Sequence, residues 1–418
     1  MHDNTAPDPD QVAAALTEAG ERFAERPLLT PLPGGASRDS WLVATDRQRY
    51  VLKRDPLHER SPLTSRRREY LAARSAAEAG VPVPRPVCFE PAGGRFGSAG
   101  MLSEFVPGTA SPNRIQTLDP AGSADYDLVR AIGRAAGRLA HAAVLTDHDP
   151  AEYSSAAVAS TDVGDAARAP GTGRTGPDAT PVIRAAAATL GATDSRAAVS
   201  GSTATPPGPA RTTGSGPARM SPSRDAAADT AAADVPNVSR AVGDSVGSVL
   251  AELAGGLDFL APDRPVLATA YRWLELNRPT VSRTVLVHGD FRLGNFMVGE
   301  TGLTGVIDWE FAGPGYPGQD LGFFCLRPWR FERDTLRAGG LGELPRLLDG
   351  YAETAPEPLD AATVAYWEIV GQLRWGLYCL MQERTYRQGV HRHLERFAIG
   401  RRMAEVEWDL MDLLAEMA

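Results

Sequence analysis

Hydrophobic and polar residues repeat along this chain with two different periods. "DQVAAALTEAGERFAER", Asp10 to Arg26, spaces its apolar residues three or four apart and predicts a helix, with Gly20 as its weak point. "PLLTPLPGGASRDSWLVATDRQRYVLKRD" shifts to a period near two: two strands flank a glycine-containing turn, and a hairpin follows through "ATDRQR". "SPLTSRRREYLAARSAAEAG" returns to helical spacing, with Ser61-Pro62 as the expected start and Gly80 as the end. Prolines keep "VPVPRPVCFEP" extended, and "GMLSEFVPG" reads as a strand running into a turn. Beyond the N-terminal helix, strands with a single helix thus fill roughly the first hundred residues.

After Pro112 the period of 3.6 takes over. "YDLVRAIGRAAGRLAHAAVL", "VLATAYRWLELN", "AATVAYWEIVGQLRWGLYCLMQERTYR" and "RRMAEVEWDLMDLLAEM" all carry apolar helical stripes. "TVLVHGDFRLGNFMVGETGLTGVIDWE" alone breaks the pattern, reading as strand, loop, strand, tight turn "GETG", strand. The fold class is α+β. From about Ala151 to Val238 the chain is rich in Ala, Gly, Pro, Ser, Thr and Asp and nearly free of aromatics. Such a segment buries too little apolar surface to offset its ordering entropy, and it reads as a low-complexity disordered insertion.

Composition narrows the field. The chain has 418 residues, enough for two lobes with sizeable cores, with 43% hydrophobic and 23% charged residues. A net charge of −9 disfavours nucleic acid as a partner. Cys88, Cys325 and Cys379 are far apart, so neither a disulfide framework nor a zinc cage is expected, and a reducing cytoplasm is the expected home. "MHDNTAPDPDQ" does not read as a signal peptide, and no apolar run reaches membrane-spanning length. Of 43 basic residues 42 are Arg, and the exception is Lys53 at the end of the strand-like "YVLK". A lysine is a compact point charge where arginine is a wide fork, so Lys53 is either a chance survivor at an ordinary surface site or the mark of a place where a fork would not fit.

The densest chemistry lies in "LVHGDFRLGNFMVGETGLTGVIDWE". His288, Gly289 and Asp290 open a loop, Asn295 follows five residues after Asp290, and a hairpin returns the chain to Asp308. Two carboxylates and an amide oxygen brought together are hard donors that suit Mg²⁺, with one carboxylate left to take or orient a hydroxyl proton.

This segment resembles the catalytic and metal-binding loops of the aminoglycoside phosphotransferase family, relatives of the protein kinases: H-G-D-x-x-x-x-N followed by a D-x-E metal loop. The resemblance implies a two-lobed protein-kinase-like fold, with a small β-rich lobe bearing one helix and a larger, mainly helical lobe. It divides the chain into a nucleotide-binding lobe with the N-terminal helix (1–104), a hinge and first part of the large lobe (105–150), the insertion (151–238) and the catalytic and acceptor-binding lobe (239–418). It implies ATP and Mg²⁺ as cofactors, Asp290 as the base or hydroxyl-orienting carboxylate, and Asn295 and Asp308 as metal ligands. Lys53 would meet the α- and β-phosphates and pair with Glu69, with Glu59 as the fallback. Arg292 has two open readings, a cation on the transferred phosphoryl group or a partner for a neighbouring carboxylate. Gly34, Gly35 and Ser37, with Arg38 nearby, would line the phosphates. Backbone near Ser103 to Phe105 would bind the adenine edge, and Asp320 would brace the catalytic loop. Tyr316 stands where many relatives carry Asp, so the turn before Asp320 is expected to be built differently.

Within the family the run "HGDFRLGNF…GVIDWE…DLGFFCLRPWRF" is most similar to the kinase domains related to those fused to acyl-CoA dehydrogenases. That implies a hydroxyacyl-type or other apolar or anionic small-molecule acceptor. Arg327, Arg330, Arg333, Arg337, Arg374, Arg384 and Arg387, interleaved with Trp329, Trp367, Trp375 and Tyr378, would favour it if they face the cleft; otherwise they are solvated arginines and core aromatics. The alternative acceptor is an aminoglycoside or macrolide antibiotic, and the competing class is a nucleotide-binding pseudokinase, which would normally have lost one of Lys53, Asp290, Asn295 or Asp308. "DWE" in place of D-F-G argues against a protein kinase, and Leu52 before the lone lysine excludes a Walker A loop. "HRH" at His391 to His393 lacks further ligands and reads as surface.

Overall fold

The computed structural model describes residues 6–32, 39–55, 65–118, 127–144, 246–280, 283–389 and 394–417. The low-complexity stretch, the glycine turn with Gly34, Gly35, Ser37 and Arg38, Glu59, and His391 to His393 lie outside the described residues.

The small lobe is a five-stranded antiparallel sheet in the order β1 (Leu28–Pro31), β2 (Asp39–Ala44), β3 (Arg49–Arg54), β5 (Gly100–Glu104), β4 (Pro86–Glu90). Alternation along β2 and β3 sends Trp41, Val43, Tyr50 and Leu52 to one face, where they pack with Val12, Ala15 and Leu16 of α1 (Pro9–Glu18). Lys53, one residue after Leu52, therefore projects from the other face. There it meets α2 (Arg66–Glu78). The lobe thus has a helix on each face, the N-terminal helix on one and the single helix among the strands on the other. The first is shorter than its apolar period suggested: it ends at Glu18, where Gly20 with φ +89° turns the chain away. The second starts at Arg66, with the Ser65 side chain capping the Arg68 N–H.

The larger lobe follows α3 (Pro112–Leu118) and α4 (Leu128–Leu139) with α5 (Gly247–Leu260) and α6 (Pro265–Leu276), then two short two-stranded ribbons. In these, β6 (Val285–Val287) pairs with β9 (Gly313–Gly315) and β7 (Phe296–Gly299) with β8 (Gly302–Val306). Five helices complete it: α7 (Gln319–Phe324), α8 (Leu344–Ala352), α9 (Ala361–Arg387), α10 (Leu394–Gly400) and α11 (Met403–Glu416). α9 is the central post. Every residue from Val364 to Gln382 is buried, so this helix is surrounded on all sides instead of showing a polar face. α4 and α8 approach closely because Gly133 faces the Leu347 carbonyl and Gly350 the Arg130 carbonyl; a Cβ on either would lie 2.2 Å from that oxygen. Among the described residues no helix is long and apolar enough to cross a membrane. The three cysteines are free thiols.

The connector between the lobes is fastened to the catalytic ribbon. Thr109 exchanges two backbone hydrogen bonds with Val298 (2.9 and 3.0 Å), and the Thr304 hydroxyl donates to the Pro107 carbonyl at 2.9 Å. Val306 N–H donates to Pro82 O at 2.7 Å, so β7 and β8 touch the small lobe as well.

Candidate active site

β6 delivers the chain to a buried loop in which His288, Asp290, Arg292 and Asn295 are all almost fully enclosed. Gly289 makes the turn: its φ is +82° and a Cβ would sit 2.6 Å from the Phe311 carbonyl, so no other residue fits without displacing backbone. Two acceptor bonds at Asp320 hold the loop from below, from His288 N–H (2.7 Å) and Gly289 N–H (3.0 Å). Burial pushes the Asp320 carboxyl above the usual carboxylate range, while His288 and these two N–H groups pull it back. Asp320 stands in the first turn of α7, and Tyr316 just before it stacks on Trp367 at 5.6 Å, so an aromatic platform builds this turn. The His288 ring ties the loop to the next one. Nδ1 accepts from Asp290 N–H (3.2 Å) and Nε2 lies 2.9 Å from Ile307 O, which defines the neutral Nε2–H tautomer.

Asp290 is gripped on both oxygens. Arg292 Nε donates to Oδ1 at 2.8 Å and Asn295 Nδ2 to Oδ2 at 2.6 Å, with a further bond from Asn295 Nδ2 to the Asp290 carbonyl at 2.8 Å. For Arg292 the carboxylate contact of the second reading is present. Its guanidinium pairs with Asp290, bonds Leu293 O at 3.1 Å and lies over the Trp329 ring at 4.8 Å. Because both Asn295 amide protons point to Asp290, the carbonyl Oδ1 is the end left for another partner.

Asp308 follows β8 in the left-handed region, φ +65° and ψ +58°, an uncommon conformation for a residue with a side chain and a frequent one at functional turns. That twist brings its carboxylate against Lys53 Nζ, 255 residues away in sequence. Lys53 also reaches Glu69 Oε1 at 3.4 Å. Lys53, Glu69 and Asp308 therefore converge, as do Asp290, Arg292 and Asn295. Among the described residues no group of three His, Cys, Asp or Glu could enclose a metal alone. The Asp308 carboxylate and the Asn295 carbonyl are hard oxygens of the type Mg²⁺ takes, a cation that needs few protein ligands.

Ser103 and Phe105 are placed less favourably than their sequence position implied. Glu104 N–H already donates to Arg85 O and Phe105 N–H to Arg49 O, both at 2.9 Å, and Ser103 lies within the sheet opposite Val51. The next N–H along the connector belongs to Val106. Phe105 offers its ring instead, with the Arg49 guanidinium 4.2 Å from its centroid.

The arginines of the large lobe are largely spent on protein acceptors. Arg330 and Arg337 both pair with Glu368, Arg327 with Asp409 and Asp412, Arg374 with Glu252 and Arg387 with Glu383; Arg333 bonds Gln116 O and Arg384 lies over Phe259. Trp329, Trp367, Trp375 and Tyr378 are core. The sequence pattern missed Arg66 and Asp55. "SRRREY" gives three adjacent arginines, and only the spacing to Glu69 (i, i+3) signals that the first shares its face.

A β-sheet lobe joined to a helical lobe, with a buried H-G-D loop and an aspartate after its following ribbon that meets a lysine of the sheet, defines a kinase-like phosphotransferase. The chain belongs to the phosphotransferase enzyme family, whose family model matches residues 28–359. Two solved structures share the fold. One is a protein of Ralstonia eutropha JMP134 provisionally assigned as an aminoglycoside phosphotransferase (15% identity, 98% of each chain, TM-score 0.57). The other is a thermostable variant of aminoglycoside phosphotransferase APH(4)-Ia in ternary complex with AMP-PNP and hygromycin B (14% identity, 97% of this chain and 98% of that one, TM-score 0.51). A stretch of 64 residues is 41% identical to acyl-CoA dehydrogenase family member 10 of Mus musculus; it is 15% of this chain and spans 6% of that protein.

Proposed function

We propose that this protein transfers the γ-phosphate of ATP to a hydroxyl group of a small molecule, with Mg²⁺ held by Asp308 and the Asn295 carbonyl. The observation that carries the reading is the meeting of Lys53 with Glu69 and Asp308 across the lobe junction. In that position Lys53 can exchange its carboxylate contact for the α- and β-phosphates. The metal would neutralise charge on the phosphates as the leaving group departs. Asp290 is clamped by Arg292 and Asn295, and its remaining lone pairs can accept a hydrogen bond from the acceptor hydroxyl. As the hydroxyl oxygen bonds to γ-phosphorus, the bond from γ-phosphorus to the ADP oxygen breaks and the hydroxyl proton passes to Asp290. Arg292 is the positioning group in this scheme: its clamp fixes the direction of the carboxylate. Catalysis is chiefly alignment and charge neutralisation.

For the acceptor we infer a hydroxyl-bearing metabolite of hydroxyacyl type, a reading supported by the 64-residue likeness to acyl-CoA dehydrogenase family member 10. The large-lobe arginines lend no support to an anionic acceptor, because their charge goes to neighbouring carboxylates. Aminoglycoside and macrolide antibiotics remain the alternative acceptors. ADP release measured over a panel of hydroxyacyl thioesters, sugars, macrolides and aminoglycosides tests both, with Asp290→Ala as the blank. Release that depends on one acceptor class and vanishes in the blank supports the reading. Turnover retained by Asp290→Ala refutes the assigned base, and the absence of both nucleotide binding and ADP release in the wild type refutes the kinase assignment.

A further inference from the structure

Arg66 stands behind the lysine–glutamate pair in a way that nothing in the H-G-D or D-x-E motifs announces. It opens α2, is 4% exposed, and forks between two acids: Nε donates to Asp55 Oδ1 at 2.9 Å, and Nη1 pairs with Glu69 Oε2. Asp55 is the residue directly after β3, two positions past Lys53. Glu69 Oε1 faces Lys53 at 3.4 Å, and Lys53 in turn contacts Asp308. Five side chains alternate in sign, Asp55, Arg66, Glu69, Lys53, Asp308, and run from the end of β3 through α2 to the metal loop.

Resting on the phosphotransferase reading above, we propose that Arg66 is a positioning residue for the nucleotide: it shares the charge of Glu69, so that Lys53 can be released from that carboxylate to the phosphates. The competition is electrostatic. Lys53 is the more exposed partner, at 19% of its side chain, whereas Arg66 and Glu69 are each 3% exposed, so the interior pair is fixed and the outer cation is the one that can move. Burial by itself would lower the Arg66 value, but Glu69 and Asp55, and more weakly Asp308, raise it; the guanidinium thus stays charged within the field of the metal loop. A lysine at position 66 would keep the charge but lose the planar fork that spans both acids.

The test is a double-mutant cycle read by calorimetric titration of Mg·ADP and Mg·AMP-PNP, which requires no acceptor. Arg66→Gln is expected to weaken nucleotide binding about 5- to 20-fold, Arg66→Lys by less, and Arg66→Gln in a Glu69→Gln background by no more than about twofold beyond Glu69→Gln alone. A scaffold role would lower binding equally in both backgrounds, and that result overturns the proposal, as does unchanged affinity in Arg66→Gln. Should Arg66→Gln fail to fold, as judged by its melting curve, Arg66→Lys replaces it in the cycle with the same criterion. Wild-type protein that binds neither nucleotide overturns the phosphotransferase reading itself. Wild-type binding that is indifferent to Arg66 overturns this inference alone.

Discussion

Two buried charge networks, one in each lobe, are built to opposite specifications. In the large lobe Glu368 is 1% exposed and both of its oxygens are taken, Oε1 by Arg330 (2.9 Å) and Oε2 by two nitrogens of Arg337 (2.9 and 2.7 Å). Arg330 adds bonds to the carbonyls of Cys325 and Asp334, so this set is saturated and fastens the 325–337 stretch to the central post α9. At the lobe junction Lys53 is divided between two acids, one of them at a long 3.4 Å, and both Lys53 and Asp308 retain partial exposure. A saturated network resists rearrangement; a divided one can be reorganised by an incoming ligand at little cost. Similar residue types thus make a rivet in one place and a latch in the other, and the difference lies in one cation being shared between two acids and in how much water reaches it.

That contrast can be broken experimentally. The largest effect is expected from Asp308→Ala, which should lower turnover by roughly three orders of magnitude. Its melting temperature should barely move, since a latch contributes little to stability; a large fall would show Asp308 to be structural. Glu368→Gln should do the reverse. Leaving two arginines without their buried counter-charge costs about 3–5 kcal/mol in denaturant unfolding, while nucleotide affinity of the folded fraction stays at the wild-type value. Lys53→Arg comes next: charge is kept but the fork misplaces it, and steady-state kinetics should show a loss of up to ~100-fold. The smallest effect belongs to the surface. Arg134 and Arg130 hold the exposed Glu353 carboxyl below the usual carboxylate range. The stability it adds is therefore present at neutral pH and is lost as pH falls through that lowered value. Glu353→Gln should remove this pH-dependent part from the melting curve, and added salt should mask the difference.

Much of the architecture was legible because period and punctuation agree. The strand period places Leu52 inward and so sends Lys53 to the opposite face, and Gly80, at φ +81°, ends α2 where expected. The catalytic loop was legible for a different reason: His288, Gly289, Asp290 and Asn295 are fixed in spacing by one local fold. What sequence could not supply is pairing across distance. That Arg292 pairs with Asp290 while lying over Trp329, 37 positions further on, is one such contact. The seven arginines of the large lobe looked like an anion-binding surface only while their acidic partners, from Glu252 to Asp412, were unassigned. Backbone commitments are equally hidden from composition, and the N–H groups of Glu104 and Phe105 are engaged by neighbouring strands that no local motif reveals.

The ribbon that starts after Asn295 and ends before Asp308 is bolted to the strap between the lobes through Thr109, Pro107 and Pro82. A force applied to that strap is transmitted to the two groups assigned to the metal through backbone bonds at Thr109 and Pro82 and through the Thr304 hydroxyl at Pro107. Purine recognition and cation chelation should then behave as one mechanical event. Thr304→Val, which removes a single bolt, should modestly speed amide exchange at Val306 and weaken the protection that Mg·ADP confers there.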